Sequence, residues 1–398
     1  MSQLPPPTAV YIGEQKDPIF AFFHGVRESA PDIAVLICPP FGWEDMCSYR
    51  SRREWACSLA AAGFATLRID LPGSGDSGGS PRDPERLRSW QEAVGTSAEW
   101  LSRQTAAKRI VAIGIGLGSA IVYSASIQGA PIDDLVLWGA QAQGRRYVRE
   151  LRAFSQLEAY RPPDRADGEQ SEDDGLAIAG YVMSADTQRE LEELDLTKLD
   201  CSRLGCSRVL MLERDGVKAD PRLRSSLEGC GAQVTVSPGD GYAAMMMAEL
   251  PFAVPAESVF ATVSAWLSQG PASGTSSPSD PTSERTDDAP QDAGARESSR
   301  ETSAQIVTDS GVSVRETPIT ISHRFGEMFG ILTEPLASSA DLCAVWLNAG
   351  PQRRTGPNRM WVETARRWAA RGVPCMRLDL AAIGDAEGDS AALLDVRS

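Results

Sequence analysis

The segment VAIGIGLGSA, residues 111–120, is the part of this chain whose residue types and spacing point to chemistry. An apolar strand pattern runs into three alternating glycines and then into a helical pattern. Two kinds of site use such a turn. A phosphate-binding loop uses glycines to let a nucleotide approach the backbone, whereas a nucleophile elbow exposes its central residue in a strained conformation.

The nucleotide interpretation fits this segment poorly. A dinucleotide fingerprint has G-x-G-x-x-G in the first strand-to-helix turn and an acidic residue at the end of the next strand. Here the third glycine position holds Ser119, and the turn follows the fourth or fifth predicted strand. The next strand ends at Gly139 and Ala140, which offer no carboxylate to a ribose. We therefore favour an elbow and expect no cofactor.

An elbow needs small residues two positions on either side of its apex, because strand and helix approach closely there. Gly114 and Gly118 occupy these two positions. The apex is Gly116, which adopts the strained conformation freely but carries no hydroxyl. The turn can thus keep its geometry while its nucleophile is missing.

The elements that must position this turn are predicted by alternating strand and helix patterns over residues 1–269. Short apolar strands separated by helices indicate an α/β fold with a doubly wound, mostly parallel sheet. A long polar insertion at residues 141–200 interrupts the alternation. The predicted strands are IFAFF, IAVLIC, FATLRID, RIVAIG, LVLWG, RVLML and AQVTVS.

Residues 10–268 resemble an α/β-hydrolase of the bacterial serine-aminopeptidase-like kind. The resemblance is carried by LICPPFGWED, AAAGFATLRIDLPGSGDSGG, VAIGIGLGSA and VLMLERDG. It implies a short cap at 141–200, and it puts the nucleophile position at Gly116, the acid at Asp215 and the histidine position at Tyr242. A phenol with a pKa of about 10 cannot serve as the imidazole base at neutral pH. The resemblance therefore implies a pseudohydrolase without an intact Ser-His-Asp triad.

The groups that bind a substrate's carbonyl oxygen in such a site would remain. The resemblance implies that the backbone amides of Phe41 and Leu117 are the oxyanion-hole donors, and the helix predicted to start near Gly118 turns its amino end to the same place. We expect a small acyl or carboxylate ligand. Two alternatives stay open: an active hydrolase of a small ester or thioester that uses Ser119 as a substitute nucleophile, and an interaction domain that pairs with a second copy of the fold.

Other polar residues near the predicted site are expected to be structural. Ser119 lies three positions past the apex, on the first helical turn, so helix packing is its expected role. Neither histidine of the chain falls at the base position. The residues interpreted as structural or as shaping the turn after a strand are His24, His323, Asp70, Asp76 and Ser77.

A second copy of the pattern follows a polar segment. FATLRIDLPGSGDSGG aligns with VPCMRLDLAAIGDAEG at a constant offset of 309 positions, so that Arg68 matches Arg377 and Asp76 matches Asp385. Residues 306–398 are predicted to form this copy, which resembles hydrolases found near polysaccharide-export systems. It stops before a counterpart of the elbow, so we expect an unpaired sheet edge, too little core, and either a fragment or a piece completed by another chain.

The polar segment and the overall composition exclude several classes of function. Residues 270–305 are rich in Pro, Ser, Gly and Asp and are predicted to be a disordered linker. The net charge of −15 argues against a nucleic-acid or anionic-membrane partner. We find no signal peptide or membrane-spanning run and expect a cytoplasmic location. The eight cysteines form no CxxC motif, so we expect reduced thiols and no metal.

Overall fold

The computed structural model describes residues 4–13, 17–27, 31–158, 175–201, 204–250, 252–270, 302–323 and 326–388. Within these ranges, no helix is long and apolar enough to cross a bilayer. The described residues form two units, 4–270 and 302–388, which we call the first and the second unit.

The first unit is built on an eight-stranded sheet in the order β1-β2-β4-β3-β5-β6-β9-β10. β2 is antiparallel to β1 and β4, and all other neighbours are parallel, which confirms the predicted mostly parallel α/β sheet. The strands are β1 Thr8–Ile12, β2 Ile19–His24, β3 Ile33–Cys38, β4 Ala65–Ile69, β5 Arg109–Ile115, β6 Asp134–Trp138, β7 Leu176–Ile178, β8 Tyr181–Met183, β9 Arg208–Leu212 and β10 Gln233–Ser237.

Helices cover both faces of this sheet. β3 is apolar throughout because its alternate residues face opposite sides of the sheet. Leu36 packs into a core with α2, α3 and α6. Val35 and Ile37 pack into a second core with α1, α7 and α8. The helices are α1 Trp43–Ala61, α2 Arg86–Thr105, α3 Leu117–Ile127, α4 Gly144–Glu158, α5 Ala185–Glu193, α6 Pro221–Gly229, α7 Tyr242–Met246 and α8 Glu257–Ser268.

The insertion predicted at 141–200 lies between β6 and β9. Its described residues form α4, a small hairpin of β7 and β8, and α5. Residues 159–174 of the insertion lie outside the described residues. The insertion thus leaves the order of the main sheet intact and adds a layer of its own.

The second unit is a five-stranded sheet in the order β11-β12-β13-β15-β14, with one helix, α9, against it. Its order from β12 onward repeats β1-β2-β4-β3 of the first sheet. The register repeats as well: Phe22 pairs with Arg68, and Ile331, 309 positions later, pairs with Arg377. The elements are β11 Ala304–Val307, β12 Ser313–His323, β13 Gly326–Pro335, β14 Ala344–Trp346, α9 Met360–Ala369 and β15 Cys375–Asp379.

The start of the second unit and its core differ from what the sequence predicts. β11 starts at Ala304, so the predicted linker boundary at 305 was wrong by two residues, and residues 271–301 lie outside the described residues. β14 is the edge of the sheet, as expected, but the second unit does not depend on its own core alone. Its Phe329 and Ile331 form one apolar cluster with Phe20 and Phe22 of the first unit.

The cysteine prediction is corrected in part. Cys201 and Cys230 form a disulfide, with their Cα atoms 5.8 Å apart, whereas the other six cysteines are free. The sequence could not indicate this pair, because the spacing of two half-cystines is arbitrary and the fold alone brings α6 beside the segment that precedes β9. Disulfides are rare in a reducing cytosol, so the cytoplasmic location stays a prediction.

Candidate functional site

The predicted elbow lies between β5 and α3, at the carboxyl edge of the sheet. Gly116 has φ 55° and ψ −119°, a conformation that is strained for any residue with a side chain. A Cβ added at Gly114 or Gly118 would come within 2.5 Å of backbone atoms, so both flanking positions require glycine. The close strand-to-helix turn of an elbow is therefore present, with no side chain at its apex.

The space above the apex is filled by two other side chains. A Cβ built on Gly116 would lie 2.6 Å from the Tyr242 hydroxyl oxygen and 2.9 Å from Glu44 Oε2. The Tyr242 hydroxyl donates a hydrogen bond to Glu44 Oε1 at 3.1 Å. This tyrosine and glutamate together occupy the volume that a nucleophile would need.

Tyr242 starts α7 and is only 3% exposed. Its ring packs edge-on against Trp138, with the centroids 5.4 Å apart. Burial, followed by the charge of Glu44, raises the pKa of the phenol well above 10. Tyr242 therefore keeps its proton and has no basic atom to offer at neutral pH.

Asp215 lies beside the backbone of the predicted histidine position. Its carboxylate accepts hydrogen bonds from the N–H groups of Gly241, Tyr242 and Ala243, at 2.6, 3.1 and 2.7 Å. These are the first amides of α7, which have no acceptor within the helix. The carboxylate thus caps α7 and makes no hydrogen bond to the Tyr242 side chain among the described contacts.

Glu44 is the site residue that the sequence analysis missed. It lies on the first turn of α1, and its Oε2 atom is buried without a hydrogen-bond partner among the described residues. Burial raises its pKa to about 7, against the opposing effects of the Tyr242 hydrogen bond and the Arg214 charge. The only sequence signal for Glu44 as a site residue was its position three residues after Phe41. This signal is not specific, because acidic residues in a first helical turn are common and interact favourably with the helix dipole.

A cavity of about 320 Å³ opens beside this pair, between the elbow and α4 of the insertion. Its walls combine aliphatic and aromatic side chains, the latter including Trp43, Tyr147 and Phe154. The Tyr147 hydroxyl, like Glu44 Oε2, is buried and unpartnered among the described residues. Arg214 also lines the cavity, but Glu150 holds it in an ion pair at 3.1 Å. The cavity is therefore apolar with a few polar atoms, the usual character of a small-ligand site.

The remaining predicted site residues divide into two groups. Phe41 lines the cavity, and Leu117, as the first residue of α3, has an N–H without an acceptor in its own helix. Ser119 is fully buried, and its hydroxyl donates to the carbonyl oxygens of Gly114 at 2.7 Å and Trp138 at 3.2 Å. Its hydroxyl therefore joins α3 to the sheet and does not face the cavity.

The residues interpreted as structural lie elsewhere. His24 is buried, accepts a hydrogen bond from Arg68 at 3.1 Å and has a lowered pKa, because of burial and then because of Arg68. Asp70 accepts the Asp76 N–H at 2.9 Å, which shapes the turn after β4. The backbone of His323 ends β12, far along the chain from the elbow. Within the described ranges, no cluster of His, Cys, Asp and Glu suits a metal ion.

The strand order, the antiparallel second strand and the elbow after β5 together define the first unit as an α/β-hydrolase fold. No protein-family model and no curated protein sequence matches the chain. Solved structures that it resembles include Est1E from Butyrivibrio proteoclasticus with bound ferulic acid, at 15% identity and a TM-score of 0.46 over 65% of this chain and 98% of that one.

Two further structures are similar at the same level. A thermostable carboxyl esterase from Bacillus coagulans in complex with glycerol has 13% identity and a TM-score of 0.47, over 67% of this chain and 99% of its own. Proline iminopeptidase from Mycobacterium smegmatis has 14% identity and a TM-score of 0.45, over 66% of this chain and 98% of its own. These values say nothing about activity, and the fold assignment rests on the topology.

Proposed function

We propose that the first unit is a pseudohydrolase, which binds a small acyl or carboxylate ligand in the cavity beside the elbow and does not cleave it. The observation that carries the proposal is the apex at Gly116. It keeps the strained elbow backbone, while the Tyr242 hydroxyl and Glu44 Oε2 lie where a nucleophile would stand. A mutation that merely removed a serine would leave this volume open.

The polar atoms of the cavity support this class of ligand. With a pKa of about 7, the Glu44 carboxyl is protonated in a large fraction of molecules at neutral pH and can donate a hydrogen bond. The Tyr147 hydroxyl is a second donor with no partner among the described residues. One carbonyl or carboxylate oxygen placed between them would satisfy both groups, and the apolar walls would bury the rest of an acyl chain.

The pseudohydrolase proposal is tested by rebuilding the chemistry. The variant Gly116→Ser/Tyr242→His/Glu44→Ala supplies the hydroxyl and the imidazole and removes the carboxyl that would contact the new side chain. We expect it to hydrolyse p-nitrophenyl acetate, whereas the wild-type chain does not. The matched control Gly116→Ala/Tyr242→His/Glu44→Ala lacks only the hydroxyl and should be inactive. An inactive but folded serine variant would contradict an intact elbow.

Labelling of a reactive serine distinguishes the pseudohydrolase from the alternative, an active hydrolase. A fluorophosphonate probe should not react with the wild-type chain, because the Ser119 hydroxyl is enclosed and bonded to two carbonyl oxygens. Labelling of Ser119, or wild-type ester turnover that disappears in Asp215→Ala, would overturn the proposal.

Ligand binding itself is measured as the thermal stabilisation of the wild type by hexanoate and hexanamide. The variant Glu44→Ala should show a smaller stabilisation by both compounds.

The second unit suggests a further role, that of a pairing partner for the first. We propose that the chain arose by tandem duplication, which is supported by the common offset of 309 in sequence and in strand register. In this interpretation the second unit stabilises the first, since Phe329 and Ile331 cover Phe20 and Phe22.

A further inference from the structure

The two units meet through contacts that exchange equivalent residues. Arg68 of the first unit lies 2.9 Å from Asp385 of the second, and Arg377 pairs in turn with Asp76. Each member of one pair is 309 positions from its counterpart in the other. Phe20 and its counterpart Phe329 contact each other, with ring centroids 6.5 Å apart. Such reciprocal contacts are those of a two-fold symmetric interface between copies of one surface.

The backbone carbonyl oxygens of the turn after β4 and β15 are also bound reciprocally. Arg359 donates to the carbonyl oxygens of Gly75 and Ser77, at 2.9 and 2.5 Å. On the other side, Arg53 donates to those of Gly384 and Ala386, the positions 309 further on, at 3.1 and 2.7 Å. The same two carbonyl positions are thus bound from the opposite unit on each side, although the donors are not equivalent, since the counterpart of Arg359 is Arg50, which pairs with Glu54 of its own helix.

Two arginines break the symmetry. Arg353 and Arg354 follow β14 in the second unit, and their counterparts in the first unit are Glu44 and Asp45. Arg353 crosses to the first unit, where it lies 3.1 Å from Asp70 and 3.4 Å from Asp45. Its guanidinium stacks on the Tyr49 ring of the first unit, 3.9 Å from the ring centroid.

Arg354 is fully buried at the centre of the interface. It lies 2.7 Å from Asp76 of the first unit, and 2.6 and 2.8 Å from Asp379 and Asp385 of its own unit. Three carboxylates thus converge on one guanidinium. Burial opposes the ionisation of Asp76, but Arg354 and Arg377 outweigh it and lower the pKa of Asp76 to about 2.

A pair of first units would lack these two guanidinium groups. In sequence the counterpart of Arg354 is Asp45, which lies on the first turn of α1 and brings no positive charge to the buried carboxylates. Unpaired charges in a desolvated interface are strongly unfavourable, and they are a known means of excluding a wrong partner. The contacts of Phe20, Arg68 and Asp76 have equivalents in the second unit, whereas Arg353 and Arg354 have no basic equivalent in the first, and their charge separates the two pairings.

The pairing face of the first unit is formed by Phe20, Arg68, Asp70 and Asp76. We propose that Arg353 and Arg354 select the partner of this face, because they allow it to bind the second unit and prevent it from binding another first unit. The partner that fits this face is an α/β unit of the same origin with an Arg-Arg pair after the strand that corresponds to β3. The proposal does not depend on what the cavity binds.

The test uses the full chain with a protease site inserted within residues 271–301. After cleavage, the wild-type units should stay associated in gel filtration over a dilution series. Arg354→Asp installs the first unit's own residue, and we expect it to weaken association roughly a hundredfold or more, since a buried pair loses one partner. Arg371→Asp, which makes the same charge change at an exposed position of the second unit, should leave association unchanged.

Three results would overturn the proposal: unaltered association of the Arg354→Asp units, equal weakening by Arg371→Asp, or dimers of the first unit released from Arg354→Asp. The released first unit should stay folded, since the two main core clusters contain only its own residues. It should be monomeric, since a pair of first units would lack Arg353 and Arg354. If circular dichroism shows that the Arg354→Asp chain is unfolded, Arg354→Met replaces it. That substitution keeps most of the side-chain volume and removes the charge together with the N–H donors, without adding a negative charge, and the same outcomes apply.

Discussion

Replacing Gly116 by alanine places one methyl group at the apex of the elbow. Two costs follow from the structure. At φ 55° and ψ −119° a residue with a Cβ is destabilised by about 1–3 kcal/mol. The new Cβ would also lie 2.6 Å from the Tyr242 hydroxyl oxygen, and overpacking of a closed site costs about 1–3 kcal/mol. We expect Gly116→Ala to lower the free energy of unfolding by about 2–6 kcal/mol.

The steric part of this cost is isolated by a double-mutant cycle. Tyr242→Phe removes the hydroxyl oxygen, so the penalty of Gly116→Ala should be about 1–2 kcal/mol smaller in that background. Gly129→Ala is the matched control, because Gly129 has φ 100° and a Cβ there would meet no atom within 4 Å. It should show only the backbone cost.

The assay is urea denaturation of the full chain, followed by tryptophan fluorescence. If Gly116→Ala costs no more than Gly129→Ala, or if its cost is the same with and without the Tyr242 hydroxyl, the Tyr242–Glu44 pair does not close the apex. The central observation behind the proposed function would then fail.

Two further predictions concern stability. The pKa of Glu44 is raised from 4.5 to about 7, so between these pH values the folded state keeps a proton that the unfolded chain releases. The free energy of unfolding should therefore fall as pH rises from 4.5 to 7, by about 3 kcal/mol in total. Glu44→Gln should remove this part of the pH dependence, which urea midpoints at pH 5 and pH 8 would reveal; parallel curves for both proteins would contradict it. The Cys201–Cys230 disulfide closes a segment of 29 residues, and Cys230→Ser should cost about 2–4 kcal/mol without reductant. Thiol titration of the denatured wild type should find six thiols, and eight would refute the pairing.

The elements of the fold could be predicted because their signals are local. The strands IAVLIC and RVLML are interior strands of the sheet and are buried throughout, and only mainly apolar segments are compatible with that burial. The elbow could be located from the spacing of its glycines, although only Gly114 is required by backbone atoms a few residues away, whereas Gly118 is required by the backbone of Cys38 and Pro39 after β3. The repeat offset was likewise a property of the printed residues.

The composition of the site could not be predicted in this way. Glu44 and Tyr242 are 198 positions apart, and each looks ordinary in its own segment. Asp70 and Asp76 were interpreted as residues that shape a turn, and they do so, but Asp76 also pairs with Arg354 and Arg377 from the other unit. Long-range partners of this kind leave no mark on local spacing.

The sequence by itself therefore determined the α/β architecture, the position of the elbow and the absence of a side chain at its apex, because strand and helix periodicity is set by neighbours in the chain. Only the tertiary structure decided what fills the apex and what joins the two units. Both depend on the direction and burial of side chains that are brought together across the fold, and burial then sets the charge of Glu44 and makes the arginines of the second unit necessary.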